Sequence, residues 1–519
     1  MEKRFFIACA LSLLVLMLST TFFKSTQPVS NKEVIKSSSV DSIEDNSRPP
    51  SVSTTSSDPL ENNHNLLDNN NLYAYKTESK ILTFSKLGGF LLDVFDQKVN
   101  TKAPFTKIGY IPKLGDCVFS VSELPKGIVL ECVTKNGVKV KKSFRIKDDD
   151  VLELTVTIID NINFNAGVYD IYVGYFDVNK EKDPLAKRYF ESCALVDDKV
   201  TRKPVFKINR AMEFTGRIPW VGLRDRYGCV LFLSEPVANK AVIEQLSKGA
   251  CLKIVMSERS TEQLGSQTED RFTIYIGPQD IASLRSLGAG AEKIVNFGMF
   301  DSISRIILFL LSAIFKITKS WGLAIIFITI LIYIVMSPLA IKSMLSMKKM
   351  QSLQPKIEQL KIKNKENPQK LNIEIMELYR REKVNPLGGC LPMVLQIPVF
   401  FALYQLLMRF NSLKGASFLW IKDLSEPDRL LIFQHNLPVI GNEFNLLPLL
   451  MSGGMFLQQK MSTASSDALG SEQQKMLTIV MPVVFCFLFY KLPAGLVLYW
   501  FINSMLMFLF QWKILRKNT

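Results

Sequence analysis

A chain that repeatedly runs apolar for about 20 residues has few folds open to it. Only helices and closed barrels satisfy their own backbone polar groups across hydrocarbon. In this 519-residue sequence such runs crowd beyond residue 297. "GLAIIFITILIYIVMSPL" occupies 322–339, "VNPLGGCLPMVLQIPVFFALYQLLM" occupies 384–408, and "FNLLPLLMSGGMFLQQKM" occupies 444–461. The stretch 475–512 is too long for one straight span and breaks at Pro493-Ala494-Gly495, giving two. A further run, 5–23, follows Lys3 and Arg4 at the start of the chain. The expectation is a polytopic α-helical membrane protein of six spans, one anchor (1–23) and five clustered in the C-terminal half.

The first run invites a signal-peptide reading. It is longer than the roughly 7–15 apolar residues of such a segment, and no small-x-small site ends it, so an uncleaved anchor is expected. Cys9 lies too early in the run to be a convincing lipidation site. Lys and Arg bias loops toward the cytoplasm. The segment 341–383 holds Lys342, Lys348, Lys349, Lys356, Lys361, Lys363, Lys365, Lys370, Arg380, Arg381 and Lys383, and the tail 513–519 adds Lys513, Arg516 and Lys517. Both are therefore placed inside, with both termini, and an even span count follows. The net charge of +15 does not argue for nucleic acid, because the cations sit beside apolar runs rather than on one soluble domain.

Between anchor and helices the composition changes. Residues 24–71, with "SRPPSVSTTSSDPLENNHNLLDNNN", cannot bury a core and read as a disordered tether. From 72 to 290 the pattern is β, and a β-sandwich of about 200 residues on the outer side is expected. "GIVLECVTKNGVKVKKSFRI" holds two strand-like runs with a two-residue hairpin signal at Asn136-Gly137. "DVLELTVTIID" alternates, and "RFTIYIGP" ends a strand at Gly277-Pro278. No catalytic constellation, phosphate loop or HExxH motif occurs, and the chain has 2 histidines, His64 and His435. No cofactor or metal is expected. Cys117, Cys132, Cys193, Cys229 and Cys251 form an odd set without a CxxC pair; it leaves room for one or two bridges, with buried thiols the expectation.

In the membrane half (297–339, 340–385 and 386–512), "SISRIILFLLSAIFKITKSWG" carries Arg305, Lys316 and Lys319 and reads as a helix lying in the interface plane. The segment 340–385 reads as a two-helix hairpin joined around Asn367-Pro368, with Pro355 a candidate kink. Met344, Met347, Met350, Leu353, Ile357 and Leu360 make one stripe, and Leu371, Ile375 and Leu378 a second. The stripes can pack on each other near the tip, while the flexible thioethers suit variable apolar partners near the membrane. Within the spans, Thr329, Tyr333 and Ser337 share a helix face, Pro392 and Gln396 are four apart, and Tyr499, Trp500, Asn503 and Ser504 lie close together. Such groups serve as interhelical glue or line a wet cavity. A small-solute transporter or channel is the alternative, disfavoured by the lack of repeats and of acids in the C-terminal spans. An intramembrane or outer-face enzyme comes third.

These residues resemble the YidC family of membrane protein insertases. "KVNPLGGCLPMVLQIPVFFALYQLLM", "MSPLAIKSMLSMKKMQSLQPKI", "FLWIKDLSEPD" and "MPVVFCFLFYKLPAGLVLYWFINS" carry the likeness, which covers 297–512. The resemblance implies five C-terminal spans around a groove open to cytoplasm and lipid. A client helix enters through it without nucleotide hydrolysis, received by the hairpin. It implies nascent membrane proteins as partners, with a Sec-type translocon and the ribosome, and a bacterial inner-membrane location. Thr329, Tyr333, Ser337, Gln396, Tyr499, Trp500 and Asn503 are the groove candidates, and Met344, Met347 and Met350 the hairpin contacts. The family's groove arginine falls at Tyr333, a phenol without positive charge. Lys342, about 13 Å further along a helix and near the opposite face, is a poor substitute.

Overall fold

The structure is a computed structural model. It describes residues 71–97, 100–159, 169–177, 187–205, 208, 210–246, 249–256, 267–364, 367–382, 384, 391–437, 441–463 and 472–517. The anchor, the tether up to residue 70, Gly388 and Gly389 lie outside them, as do the side chains of Pro392, Met344, Met347 and Met350.

The β signals produce two antiparallel sheets. A small one holds β1 (Leu72–Lys76), β2 (Lys80–Ser85), β3 (Phe90–Asp96) and β4 (Thr101–Lys102) in that order. The large one is built on β5 (Ser120–Leu124), β6 (Gly127–Val133), β7 (Lys139–Asp148) and β8 (Val151–Ile159). It continues through β15 (Gln267–Pro278), β13 (Gly228–Leu246), β12 (Met212–Arg224), β10 (Glu191–Val196) and β11 (Lys199–Pro204). β14 (Gly249–Met256) leaves this path from β13 and carries β9 (Tyr169–Phe176). Leu82, Phe84 and Val94 of the small sheet share one core with Leu130, Phe144, Leu154, Phe232 and Phe272 of the large one. Alternation explains it: Leu152, Leu154 and Val156 all face inward from β8.

Asn136-Gly137 does mark a hairpin, but with three connecting residues rather than two. Thr134 N–H donates to the Val138 carbonyl at 2.9 Å and Gly137 N–H to the Thr134 carbonyl at 2.9 Å, with Gly137 at φ 81°. A glycine in the left-handed region after a turn is the bulged three-residue loop.

Lys142 is the most deeply buried charged group on the strands of this core. It is fully buried, and its ammonium donates to the carbonyls of Gly88 (3.1 Å), Gly89 (2.8 Å) and Gly109 (3.1 Å). Three acceptors match its three donors.

A second core runs from the sheet into the helices without a break. Trp220, Leu231 and Tyr275 of the sheet join Leu284 of α1 (Ile281–Ser286) and Ile294 of the following short turn. They continue into Ile307 and Leu311 of α2 (Asp301–Thr318) and Ile325 and Ile328 of α3 (Trp321–Ser352). Leu403 and Leu406 of α6 (Leu391–Leu407), Met451 of α7 (Leu446–Thr463) and Leu496 of α9 (Ala494–Lys517) complete it. α8 (Glu472–Phe489) adds Phe489, and the turn at Pro493 separates it from α9 as the sequence indicated.

Between α3 and α6 lie α4 (Gln354–Lys363) and α5 (Pro368–Arg381). The expected hairpin helix beginning near 340 is instead two pieces. α3 runs unbroken through Pro338 to Ser352, and the chain breaks at Leu353. Pro355 stands in the first turn of α4, where a missing N–H forfeits no helical bond, so it starts a helix rather than kinking one. Leu353, Ile357 and Leu378 pack together with Leu360 and Ile375 at their margin; the stripes do pack on each other, but the buried part lies toward the base of the hairpin rather than near its tip at Asn367-Pro368, where the sequence placed it. The Asn367 side chain accepts the Lys370 N–H at 3.0 Å and caps α5.

Two helices among the described residues are long and apolar enough to cross a membrane: 321–343, mean hydropathy 2.6, and 494–513, mean hydropathy 1.5. Gln396–Leu407 and Ile479–Phe489 are shorter apolar helices.

Two stability predictions follow from the packing. Burial pushes the Lys142 ammonium down to about 7, against about 10.4 in an unfolded chain. Between those values the unfolded chain binds more protons, so stability should rise with pH from about 7 to 10 and be flat below 7. Urea unfolding at pH 7 and pH 9 should show this gain in the native chain and not in Lys142→Met. At Gly322 an added Cβ would lie 2.1 Å from the Phe418 ring, at its root and not at a flexible end. Gly322→Ala should cost about 1–3 kcal/mol, whereas Gly453→Ala, with nothing within 4 Å, should leave the melting temperature unchanged.

Candidate functional site

The helices bring two of the sequence candidates into direct contact. Gln396 near the start of α6 donates its amide N–H to the hydroxyl of Tyr499 on α9, and Tyr499 is fully buried. Beside it, Trp500 packs edge-on to Phe400 (4.9 Å, 86°) and stacks on Phe485 (5.7 Å, 27°), with Phe489 at 5.4 Å. α6, α8 and α9 therefore meet at one aromatic cluster with a single amide–phenol bond at its edge. Such offset and edge-on ring pairs hold helices in register.

The α3 candidates behave differently from one another. Thr329 is buried and its hydroxyl donates to the Ile325 carbonyl at 2.6 Å, one turn back on the same helix. Ser337 does likewise to Ile334 at 2.8 Å and is half-buried. Tyr333 turns its ring onto Phe510 of α9, centroids 5.8 Å apart at 79°, and its hydroxyl is buried without a partner. An unpaired buried hydroxyl costs about 1–3 kcal/mol. Asn503 is half-buried on α9, next to the fully buried Ser504.

One end of the bundle is sealed by polar groups that sequence reasoning did not single out. Asp428 accepts the N–H groups of Leu446 and Leu447 at 2.9 Å each, capping α7, and takes the Trp420 indole N–H at 3.2 Å. Asn445 donates to the Tyr490 carbonyl at 2.8 Å and accepts the Arg429 N–H at 2.9 Å. Ala494 and Gly495 donate to the carbonyls of Glu426 (2.7 Å) and Leu424 (2.9 Å). Asp428 caps α7 from 18 positions away, so neither it nor the Asn445–Tyr490 pairing had a local signal in the sequence. Between helices, Ser304 donates to the Ala402 carbonyl at 3.0 Å and Ser452 to the Pro482 carbonyl at 2.8 Å. Gln458 approaches the Met507 sulfur at 3.1 Å. These hydroxyls and amides act as glue between α2 and α6, α7 and α8, and α7 and α9.

Two family models match this chain: one described as the 60Kd inner membrane protein over residues 313–519, and one described as the YidC periplasmic domain over residues 119–310. The membrane protein insertase YidC of Endomicrobium trichonymphae is 33% identical over 402 residues, spanning 77% of this chain and 75% of its own length. That of Pelobacter propionicus is 37% identical over 391 residues, spanning 73% and 70%. A solved structure described as an active YidC insertase with its first transmembrane domain resolved aligns over 85% of this chain and 92% of its own, at 19% identity and a TM-score of 0.41. With its β-rich domain and its helical core both matched, the chain belongs to the YidC family of membrane protein insertases.

Proposed function

We propose that this chain admits client transmembrane segments into a bacterial inner membrane through a lipid-open, water-holding groove among α3, α6, α8 and α9. The observation that carries the reading is the match of both halves of the chain to insertase relatives. In this reading the chain crosses the membrane six times, with the run 5–23, α3, α6, α7, α8 and α9 as the spans. Both termini and the 340–385 hairpin are cytoplasmic and the β domain faces outward, as the Lys and Arg distribution supports. No cofactor enters; clients are nascent membrane proteins, received with or without a Sec-type translocon and the ribosome.

The physics is a barrier problem. Moving a client's polar segment through hydrocarbon costs several kcal/mol per unsatisfied group. Polar side chains reached from the cytoplasm hold water and shorten the dry path. The loops around Asp428 and Asn445 close the far end, so the path is a half-channel and not a pore. Burial of the client's own apolar helix in lipid then drives release, at about 25 cal/mol per Å² of apolar surface. Gln396 and Tyr499 offer an amide and a phenol that can exchange their mutual bond for bonds to a client. Tyr333 supports the wet reading because its hydroxyl lacks a protein partner, and a water molecule would remove that cost.

Insertion of a small two-span client into proteoliposomes tests this. Photo-crosslinkers placed at Tyr333, Gln396 and Tyr499 should capture the client; crosslinks confined to neighbouring helices of the same chain would sink the groove assignment. Tyr333→Phe should lower insertion of every client by about fivefold, the worth of roughly 1 kcal/mol of lost hydrogen bonding. Tyr333→Arg should raise insertion of clients with acidic tails relative to neutral ones.

A further inference from the structure

We propose that the loop joining α6 to α7 carries a lipid anchor, a β-hairpin whose apolar side chains sit in the headgroup layer of the outer leaflet. The proposal rests on the reading of α6 and α7 as spans and adds to it a lipid contact outside the bundle.

From Leu430 to Asn442 this loop holds no Asp, Glu, Lys or Arg, and it opens on Leu430, Leu431, Ile432 and Phe433. It folds as β16 (Leu431–Leu437) against β17 (Gly441–Phe444), antiparallel, with Leu431 opposite Phe444 and Ile432 opposite Glu443. The two pair with each other and with no other strand among the described residues. Leu431, Ile432 and Phe433 are exposed at 53%, 66% and 37%. Neighbours along a strand point to opposite faces, so apolar side chains are bare on both faces of the hairpin. An isolated two-stranded hairpin is marginal in water, and a bare apolar patch calls for a cover.

Bareness on both faces decides what that cover is. A docked protein buries one face and leaves the other wet, whereas a fluid apolar medium surrounds both. The base of the hairpin places it beside such a medium. Arg429 pairs with Glu443 at 2.8 Å across the base, and the Arg429 N–H donates to the Asn445 side chain at 2.9 Å. The Tyr490 hydroxyl, at the turn between α8 and α9, donates to the Glu443 carbonyl at 2.9 Å. The hairpin is thus fixed to the closed end of the bundle. Leu449 and Leu450, the first exposed apolar side chains of α7, follow Asn445 by one turn. In the span reading they face lipid, so a lipid-facing surface begins where the hairpin ends.

The backbone sets the depth. The outer edges of β16 and β17 leave N–H and C=O groups without a strand partner, and hydrocarbon would leave them unsatisfied. The headgroup layer offers water and phosphate oxygens to those edges while the apolar side chains reach below it. The charged base of Arg429, Glu426 and Glu443 is suited to the same layer.

Fluorescence quenching in nanodiscs that each hold a single full-length chain tests this, since no second copy or partner is present. The discs are made of phosphatidylethanolamine and phosphatidylglycerol. An environment-sensitive fluorescent amino acid replaces Ile432, Leu450 or Val133 in separate samples, Val133 being an exposed position of β6. Spin-labelled phospholipid should quench the probe at 432 and at 450 and spare the one at 133; aqueous iodide should do the reverse. A probe at 432 that behaves like the one at 133, or that neither quencher reaches, would overturn the lipid contact while 450 still reports the span. If 450 also behaves like 133, the span reading fails with it. Leu431→Asp combined with Phe433→Asp should transfer the probe at 432 from lipid quenching to iodide quenching. The signal at 450 and the melting temperature should not change. Lipid quenching at 432 that persists in this variant would also overturn the anchor.

Discussion

Every helix leaves backbone donors unpaired at its first turn and acceptors unpaired at its last, and hydrocarbon offers them nothing. This constraint organises the junction between the β domain and the helices. Asp428 takes the first N–H groups of α7, and Arg226 of the β domain donates its Nε–H to the Met408 carbonyl at 2.6 Å, just beyond the end of α6. Arg409 reaches the Asn296 carbonyl in the segment that leads into α2 and lies over the Tyr189 ring at 5.1 Å. α2 ends on Lys319 in the left-handed conformation, whose N–H returns to Phe315. Helix ends that would be liabilities in lipid are thus met by protein groups, and those same groups tie the two halves together.

That junction also holds a buried charge. Arg224 is almost fully buried, paired with Glu191 at 2.5 Å and donating to the Ile294 carbonyl at 3.0 Å. A buried pair is weak evidence for stability by itself, because desolvation offsets the attraction. Its hydrogen bond to Ile294 has a directional consequence. It fixes the short turn before α2 against the end of β12, and so sets the angle at which the amphipathic α2 leaves the sheet. Ile306, Phe309 and Ile317 then remain exposed on one side of α2, while Ser304, Ile307 and Leu311 are buried against the bundle. An exposed apolar stripe beside Arg305 and Lys316 is what a helix in the interface plane requires.

Much of this was legible because it is local. Period-two alternation located β8 and β15, and Pro493-Ala494-Gly495 marked the turn between α8 and α9. The stripes on 353–360 and 371–378 foretold their packing, although Leu371 stays out of the cluster they form. The errors were local as well. A span followed by a cationic segment looks like two elements, but nothing in 340–352 ends a helix, so α3 continues to Ser352. What the sequence could not yield are partnerships across long separations. Gln396 meets Tyr499 across 103 positions, and Arg226 meets Met408 across 182. Gln396 and Tyr499 were notable alone as polar groups within apolar runs, and Arg226 carried no signal of its own. Which partner it takes depends on how the helices and the sheet pack, and periodicity carries no information about that.

The position of Tyr333 shows how the proposed mechanism shifts when one side chain changes. An arginine there would attract acidic client tails at a distance, since charge acts over several ångströms in a low-dielectric site. A phenol acts only at contact. Its ring is already occupied by Phe510, and its hydroxyl is the one polar group of this α3 face not spent on its own helix. In such a groove, capture cannot depend on a fixed cation. Selection then passes to the client's apolar length and to the polar contacts it makes on the way in. The basic residues that remain are densest on the hairpin and the tail, and others, such as Lys460 and Lys475, stand at the ends of the spans rather than in their apolar cores. Any electrostatic steering by this chain would therefore act before entry, on the approaching client, and the step across the bilayer would run on hydration and apolar burial alone.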